Sequence, residues 1–204
     1  MIESGRMQIE TRRQIASLTA NILNPFLVSL VLILLLSFES TSSVADALKW
    51  SLILIAVSIL PVFSVMVYLY RKGRLDGIFT PVRKQRTKVY LLAIGCAVVG
   101  GVIITCLGAP LVLRATFVAS LSAVIVYMFV NLWWKISLHI AFVAASVTAL
   151  IILYGAIGAI SVVFLPPIVW ARIEAGHHSV AQVATGAVLA AVIVVVAFYL
   201  FGLF

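Results

Sequence analysis

The chain has 204 residues, of which 64% are hydrophobic and 10% are charged, and its formal net charge is +8. Average soluble domains are about 45–50% apolar and about 25% charged, so this composition excludes an ordinary soluble domain, a disordered chain and a coiled coil. The two cysteines, Cys96 and Cys106, lie in apolar sequence, which excludes a disulfide framework and a cysteine metal site. A mean hydropathy of +1.25 instead favours a bundle of transmembrane helices, each about 20 residues long.

The apolar segments follow a polar N-terminal stretch, residues 1–13, in which we find no cleaved signal peptide. The run 136–171 would be about 54 Å long as one helix, although a bilayer core is about 30 Å thick. We therefore divide it at Gly155 and Gly158, with a second part that is kinked at Pro166-Pro167 or, alternatively, re-entrant. The sequence predicts an all-α integral membrane protein, a single domain over 1–204 with six to seven transmembrane helices. The expected spans are 15–38, 47–70, 89–107, 111–130, 136–154, 156–171 and 180–204.

The distribution of charge predicts the topology. The loop 71–88 holds half of the 14 Lys and Arg residues, whereas the first loop is acidic, with Glu39 and Asp46. Because basic loops stay on the cytoplasmic side, we expect the N-terminus and loop 71–88 inside. An alternative interpretation of the basic residues in this loop is a surface that binds anionic lipid head groups. They do not indicate nucleic-acid binding. We expect a multi-pass protein of a prokaryotic inner membrane.

Polar residues concentrate in three clusters, residues 81–88, 134–139 and 170–182. Two spans separate each cluster from the next, so all three are expected at the cytoplasmic face. Guanidinium groups suit phosphate oxygens, and a histidine can act as nucleophile or general acid. The clusters therefore indicate a site for a phosphate ester.

The spacing within the clusters resembles a known family. Arg172 and His178 have five residues between them, Ser137-Leu138-His139 precedes an apolar run, and a basic run comes before both. This order resembles the type 2 phosphatidic acid phosphatase superfamily, whose pattern is a Lys/Arg motif, then Pro-Ser-Gly-His, then Ser-Arg-x5-His-x3-Asp. The resemblance covers roughly residues 71–190 and indicates a divergent member.

The resemblance implies a metal-independent phosphatase without a cofactor, acting on an isoprenoid phosphate or diphosphate or on a phosphatidate-like lipid. His178 would attack phosphorus and form a phosphohistidine, and His139 would protonate the leaving alkoxide. The residues that would hold the phosphate are Arg172, Ser137, Arg83, Lys84 and Arg86. The expected partners are the lipid phosphate and membrane lipids, and the oligomeric state is not specified.

The chain departs from the family pattern at several positions. Leu138 replaces a glycine, Ala171 replaces a serine, and Asp76 stands at the spacing of the first motif's lysine. Gln182 occupies the place of the aspartate that orients the nucleophilic histidine. A Gln carbonyl can accept a hydrogen bond from the ring, but it cannot neutralise an imidazolium. Glu174 is the alternative source of a carboxylate.

Three other hypotheses stay open. The first is a catalytically weak protein that binds lipid phosphate or serves as a subunit of a membrane complex. The second is a haem- or quinone-binding redox subunit, since all three histidines are expected at one face. The third is a transporter, but the expected spans lack acidic residues at mid-membrane positions, which argues against it. Lys135, beside Trp133 and Trp134, is interpreted as an interfacial anchor, and His177 is expected to have no catalytic role.

Overall fold

The computed structural model describes residues 2–77, 83–176 and 178–204, without the side chains of residues 2–6, 83 and 84. In these ranges the chain is helical and contains no strand, in agreement with the predicted all-α class. The α-helices of the described ranges are α1 (Ile2–Ile22), α2 (Pro25–Glu39), α3 (Val44–Leu54), α4 (Leu60–Arg71), α5 (Arg83–Cys106), α6 (Leu111–Trp133), α7 (Leu138–Tyr154), α8 (Ala156–Ala159), α9 (Leu165–Glu174) and α10 (Val180–Leu200).

Six helical segments in the described part of the chain are long and apolar enough to cross a membrane. A further apolar helix, α7, has 17 residues, equivalent to about 26 Å of rise. The architecture is therefore compatible with a multi-pass membrane protein of six to seven spans. The six segments are Met7–Glu39, Val44–Arg71, Gln85–Cys106, Leu111–Trp133, Ala156–Glu174 and Val180–Leu200.

The first expected span, 15–38, is not one continuous helix. The chain breaks between α1 and α2, where Asn24 Oδ1 accepts hydrogen bonds from the backbone N–H groups of Phe26 and Leu27 at 2.9 and 3.0 Å. Pro25 follows as the first residue of α2, a position where its missing N–H costs nothing. An Asn N-cap and a proline thus start a second helix inside the apolar run, which the hydropathy pattern concealed.

The second expected span, 47–70, also contains an irregularity. Between α3 and α4 lies a π-helical turn, Ile55–Ile59. Pro61 has no N–H to donate to the carbonyl of Val57, and its ring would crowd that carbonyl in a regular helix. The wider π-helical turn lies directly before α4, at the point where a regular helix would bring the Pro61 ring against the Val57 carbonyl.

The division of 136–171 at Gly155 is confirmed. Gly155 ends α7 with a φ of +57°, which favours glycine, and α8 turns back beside it. A side chain on Gly158 would collide with the carbonyl oxygen of Leu150, so the turn also needs glycine there. The expected irregularity lies before the prolines: a 3-10 turn, Ile160–Phe164, precedes α9, and Pro166-Pro167 occupy the first turn of α9.

Close packing of α10 against α7 determines where the site forms. A Cβ on Gly186 would lie 2.9 Å from Ile136 Cγ2 and 3.1 Å from the Ser137 carbonyl oxygen. Tyr127 Oη from α6 donates to the Gly186 carbonyl at 3.3 Å. Since only glycine allows this approach, the start of α7 lies directly against the first half of α10, and His139 is brought toward the segment before α10.

The basic cluster is helical rather than part of a loop. α5 begins at Arg83, so Arg86 and Lys88 lie in its first two turns. The interpretation of 71–88 as one loop is therefore wrong in its second part. A helix gives Arg86 a fixed direction into the bundle, where its side chain is 7% exposed.

Candidate functional site

Residues from all three polar clusters line one cavity of about 280 Å³. Arg86 comes from α5, His139 from the first turn of α7, Arg172 from the last turn of α9, and His178 from the segment that precedes α10. The cavity thus joins two guanidinium groups and two imidazoles that are far apart in sequence. This meeting agrees with a segment 156–174 that crosses the membrane rather than re-entering it.

His178 is 6% exposed and hydrogen-bonded to Gln182, with 3.2 Å between His178 Nδ1 and Gln182 Oε1. The same oxygen accepts the Ser179 backbone N–H at 3.2 Å, and Ser179 Oγ accepts the Gln182 N–H at 3.3 Å. These last two bonds form a capping box at the start of α10, which holds Gln182 in place. When Nδ1 carries the proton and donates it to Gln182, Nε2 keeps a free lone pair.

The surroundings of His178 favour its neutral form. Burial, followed by the charges of Arg172, Lys135 and Arg86, lowers the pKa of His178 to about 3, against a smaller opposing effect of the Gln182 hydrogen bond. Burial and the nearby Arg86 and Arg172 also lower the pKa of Lys135. At neutral pH, His178 is therefore an uncharged imidazole among cations, the state in which it can act as a nucleophile.

The two guanidinium groups differ in their partners. Arg86 Nη1 donates to the Ile136 carbonyl at 3.1 Å, which ties α5 to the segment before α7. Arg172 Nε is buried and has no hydrogen-bond partner among the described residues. A buried N–H without a partner is costly, so an anionic oxygen that accepted it would be strongly favoured. Arg86 and Arg172 line the same cavity as His178, and both act on its charge, an arrangement that suits an anionic group such as a phosphate.

The remaining expected phosphate ligands are placed differently. Ser137 is fully buried at the start of α7, and it is not among the described residues that line the cavity, although its Oγ has no hydrogen-bond partner in that part of the chain. The close approach of Gly186 encloses it. The expected roles of Arg83 and Lys84 concern side chains outside the described residues, as does the role of His177.

The structure does not support Glu174 as the carboxylate partner of His178. Glu174 Oε2 accepts a hydrogen bond from Arg12 Nη2 of α1 at 2.8 Å, and Gln182 is the partner of His178 Nδ1. Glu174 therefore fixes α9 to the N-terminal helix, a structural role.

Sequence reasoning missed three residues of the site. Lys135, interpreted as an interfacial anchor, lies close enough to act on the charge of His178. Tyr90 and Tyr127 line the cavity and are both buried. Tyr90 follows Arg86 by four residues, so the two share one face of α5, and this spacing was the available signal. Nothing in the sequence singled out Tyr127.

In the described ranges, no group of three or more His, Cys, Asp or Glu side chains could hold a metal ion. Comparisons with family models, with curated proteins and with solved structures found no match to this chain.

Proposed function

We propose that the chain is an integral-membrane phosphohydrolase that hydrolyses a lipid phosphate or diphosphate monoester through a phosphohistidine on His178, in the manner of the type 2 phosphatidic acid phosphatase superfamily. One observation carries the proposal. A neutral, hydrogen-bonded histidine lies beside the buried Arg86 and the half-buried Arg172, in a cavity with mainly apolar walls. Cations suit a phosphate head group, and the apolar walls suit a lipid tail.

The proposed reaction has two balanced steps. The Nε2 lone pair of His178 attacks phosphorus, the ester P–O bond breaks, and the leaving oxygen takes a proton from His139. Water then attacks the phosphohistidine, His139 accepts a proton from that water, and the P–N bond breaks to restore His178. Arg86 and Arg172 stabilise the charge on the phosphoryl oxygens in both steps.

We propose further that the site faces the cytoplasm of a prokaryotic cell. The support is the basic sequence at the end of α4 and the start of α5, on the same side of the bundle as His139 and His178.

Phosphate release by the purified protein tests the function. We expect release from isoprenoid phosphates, isoprenoid diphosphates or phosphatidate in the presence of EDTA. With a ³²P-labelled substrate, we expect a phosphoprotein that survives alkali and is lost in acid, as a phosphohistidine is. No release from any of the three classes would contradict the proposal.

A second candidate, a lipid-phosphate-binding protein with little turnover, is favoured by Gln182. Phosphoryl transfer leaves a positive imidazole on His178, and a neutral amide cannot compensate that charge. In a Ser-His-Asp triad the comparable loss of a carboxylate costs about 10⁴ in rate. Slow turnover or binding without turnover would follow directly from this one residue.

The variant Gln182→Glu separates the two candidates. It is isosteric, keeps the capping box, and puts a carboxylate on His178 Nδ1. If His178 is the nucleophile, we expect kcat to rise at least about tenfold, a part of the loss described for the triad. Ala181→Glu, which adds the same charge at an exposed neighbouring position, should have little effect. Unchanged binding of lipid phosphate, with no turnover in either variant, would favour the binding protein.

A further inference from the structure

The cavity runs deep into the bundle from the site. Its lining includes α6 from Tyr127 at the site to Leu113 near the opposite end, about 21 Å of helix rise. It includes α7 from His139 to Ala149, about 15 Å. The cavity therefore covers half to two-thirds of a bilayer core about 30 Å thick.

The wall beyond the site is mainly apolar, and its hydroxyl groups belong to Ser29, Ser58, Thr116, Ser120 and Ser146. Thr116 and Ser120 line it from α6, but their hydroxyls donate to the carbonyls of Val112 and Thr116 in their own helix, at 2.8 and 2.9 Å. They therefore offer no free donor to a ligand. A wall made mostly of apolar side chains suits a hydrocarbon ligand.

Large buried side chains line the part of the cavity farthest from the cations. Phe117 and Phe198 line the cavity there, and Phe198 is completely buried. The Phe117 ring packs on Gly100 of α5, where a Cβ would lie 2.8 Å from Cζ. This contact leaves Phe117 no room to retreat toward α5.

The volume suits one tail. A 150 Å³ apolar cavity holds one benzene, so about 280 Å³ corresponds to roughly a dozen carbons. A farnesyl chain of 15 carbons comes close to that number, whereas the two acyl chains of a dioleoyl phosphatidate have 36 carbons, about three times as many.

From this geometry we infer that the substrate is a phosphate ester with a single hydrocarbon tail, and that the tail lies inside the bundle, from His178 to Phe117. The inference rests on the proposed function for the reaction at the head group. A prenyl phosphate and a lysophospholipid both have this single-tail chemistry. A two-tailed phosphatidate does not, and it would have to leave at least one chain outside.

A plug halfway along the cavity tests the inference. The exposed Ser120 of α6 and the half-buried Ser146 of α7 line the middle of the cavity, so Ser120→Phe and Ser146→Phe would each narrow it there. Val118→Phe is the matched control, because Val118 lies on the same helix but outside the cavity lining and is 42% exposed. The substrates are butyl and dodecyl phosphate, farnesyl phosphate, a lysophosphatidate and a dioleoyl phosphatidate, in nanodiscs.

We expect the wild type to prefer the single-tailed substrates to phosphatidate by at least about tenfold in kcat/KM. Ser120→Phe should lower kcat/KM for dodecyl phosphate at least about tenfold and change that for butyl phosphate less than twofold. Val118→Phe should change neither. Farnesyl phosphate and lysophosphatidate, compared with each other, distinguish the two sources of a single tail. Equal losses for butyl and dodecyl phosphate in both plugged variants, or no preference over phosphatidate, would overturn the inference.

Failure of the proposed function gives a different pattern. If no substrate is hydrolysed, the same series is measured as binding, by the shift in the unfolding temperature of each variant. Weaker binding of dodecyl phosphate alone in Ser120→Phe and Ser146→Phe would retain the single-tail site without the reaction. Equal binding of dodecyl phosphate by the wild type and both plugged variants would remove the site.

Discussion

Replacing His178 with alanine is expected to lower lipid phosphate hydrolysis at least about 10³-fold and to abolish the alkali-stable phosphoprotein. The variant lacks the atom that would form the P–N bond. Among the described residues that line the cavity, His178 is the histidine that Gln182 orients, so no other side chain is placed to replace it. The measurement is single-turnover release of phosphate, which separates chemistry from product release. Added imidazole, which fits the space vacated by the side chain, should restore part of the activity.

The controls for this variant distinguish chemistry from folding. His178 is 6% exposed, so its loss also removes packing. His178→Asn keeps an N–H that can donate to Gln182 but has no nucleophilic nitrogen, so it should be as inactive as His178→Ala while unfolding near the wild-type temperature. His177→Ala is expected to retain activity. Full hydrolysis by a folded His178→Asn would remove His178 as the nucleophile.

That residues distant in sequence meet at this site could be predicted from the sequence, because the prediction needs only the number of membrane crossings between them. An even number of crossings returns a helical chain to the same face, so His139 and His178 were expected together. The glycine turn at Gly155 was accessible as well, since one helix over 136–171 would have exceeded the bilayer thickness.

The irregular helices were less accessible, for a physical reason. Hydropathy reports transfer into an apolar medium and is insensitive to where the backbone hydrogen bonds are interrupted. The Asn24-Pro25 pair is a readable helix start, but it stands in an apolar run that was interpreted as one span. The π-helical turn Ile55–Ile59 likewise leaves the apolar pattern unchanged.

Long-range contacts were the least accessible part. The Arg12–Glu174 pair joins residues 162 positions apart, and no local pattern indicates it. The burial of Ser137 depends on the closeness of Gly186 across a helix interface, a property of packing. The influence of Lys135 on His178 depends on the path of the chain between α6 and α7. In each case the decisive information is the distance between helices.

Arg172 is expected to give the second large effect: Arg172→Ala should lower kcat/KM about 10²–10³-fold, the usual cost of removing one donor that stabilises developing negative charge. Arg172 lines the cavity next to His178, and its buried Nε has no partner in the described chain. Arg172→Lys keeps the charge but lacks that N–H and the planar fork, so it should recover only part of the loss. Steady-state kinetics over a range of lipid phosphate concentrations provide the measurement.

Arg114 supplies the matched control, because its Nε is also buried without a partner in the described residues, but it lies in the first turn of α6 and outside the cavity lining. Arg114→Ala should therefore change hydrolysis less than about twofold.

Arg172→Ala should also raise the pKa of His178 above about 3, since Arg172 is one of the cations that disfavour the imidazolium. A higher pKa means that His178 takes up a proton at a higher pH, so the acid limb of the profile of kcat/KM against pH should move toward neutrality. A loss of activity without that movement would mean that Arg172 acts at a distance from His178. Equal losses in Arg114→Ala and Arg172→Ala would point to a structural effect common to arginines with a buried Nε.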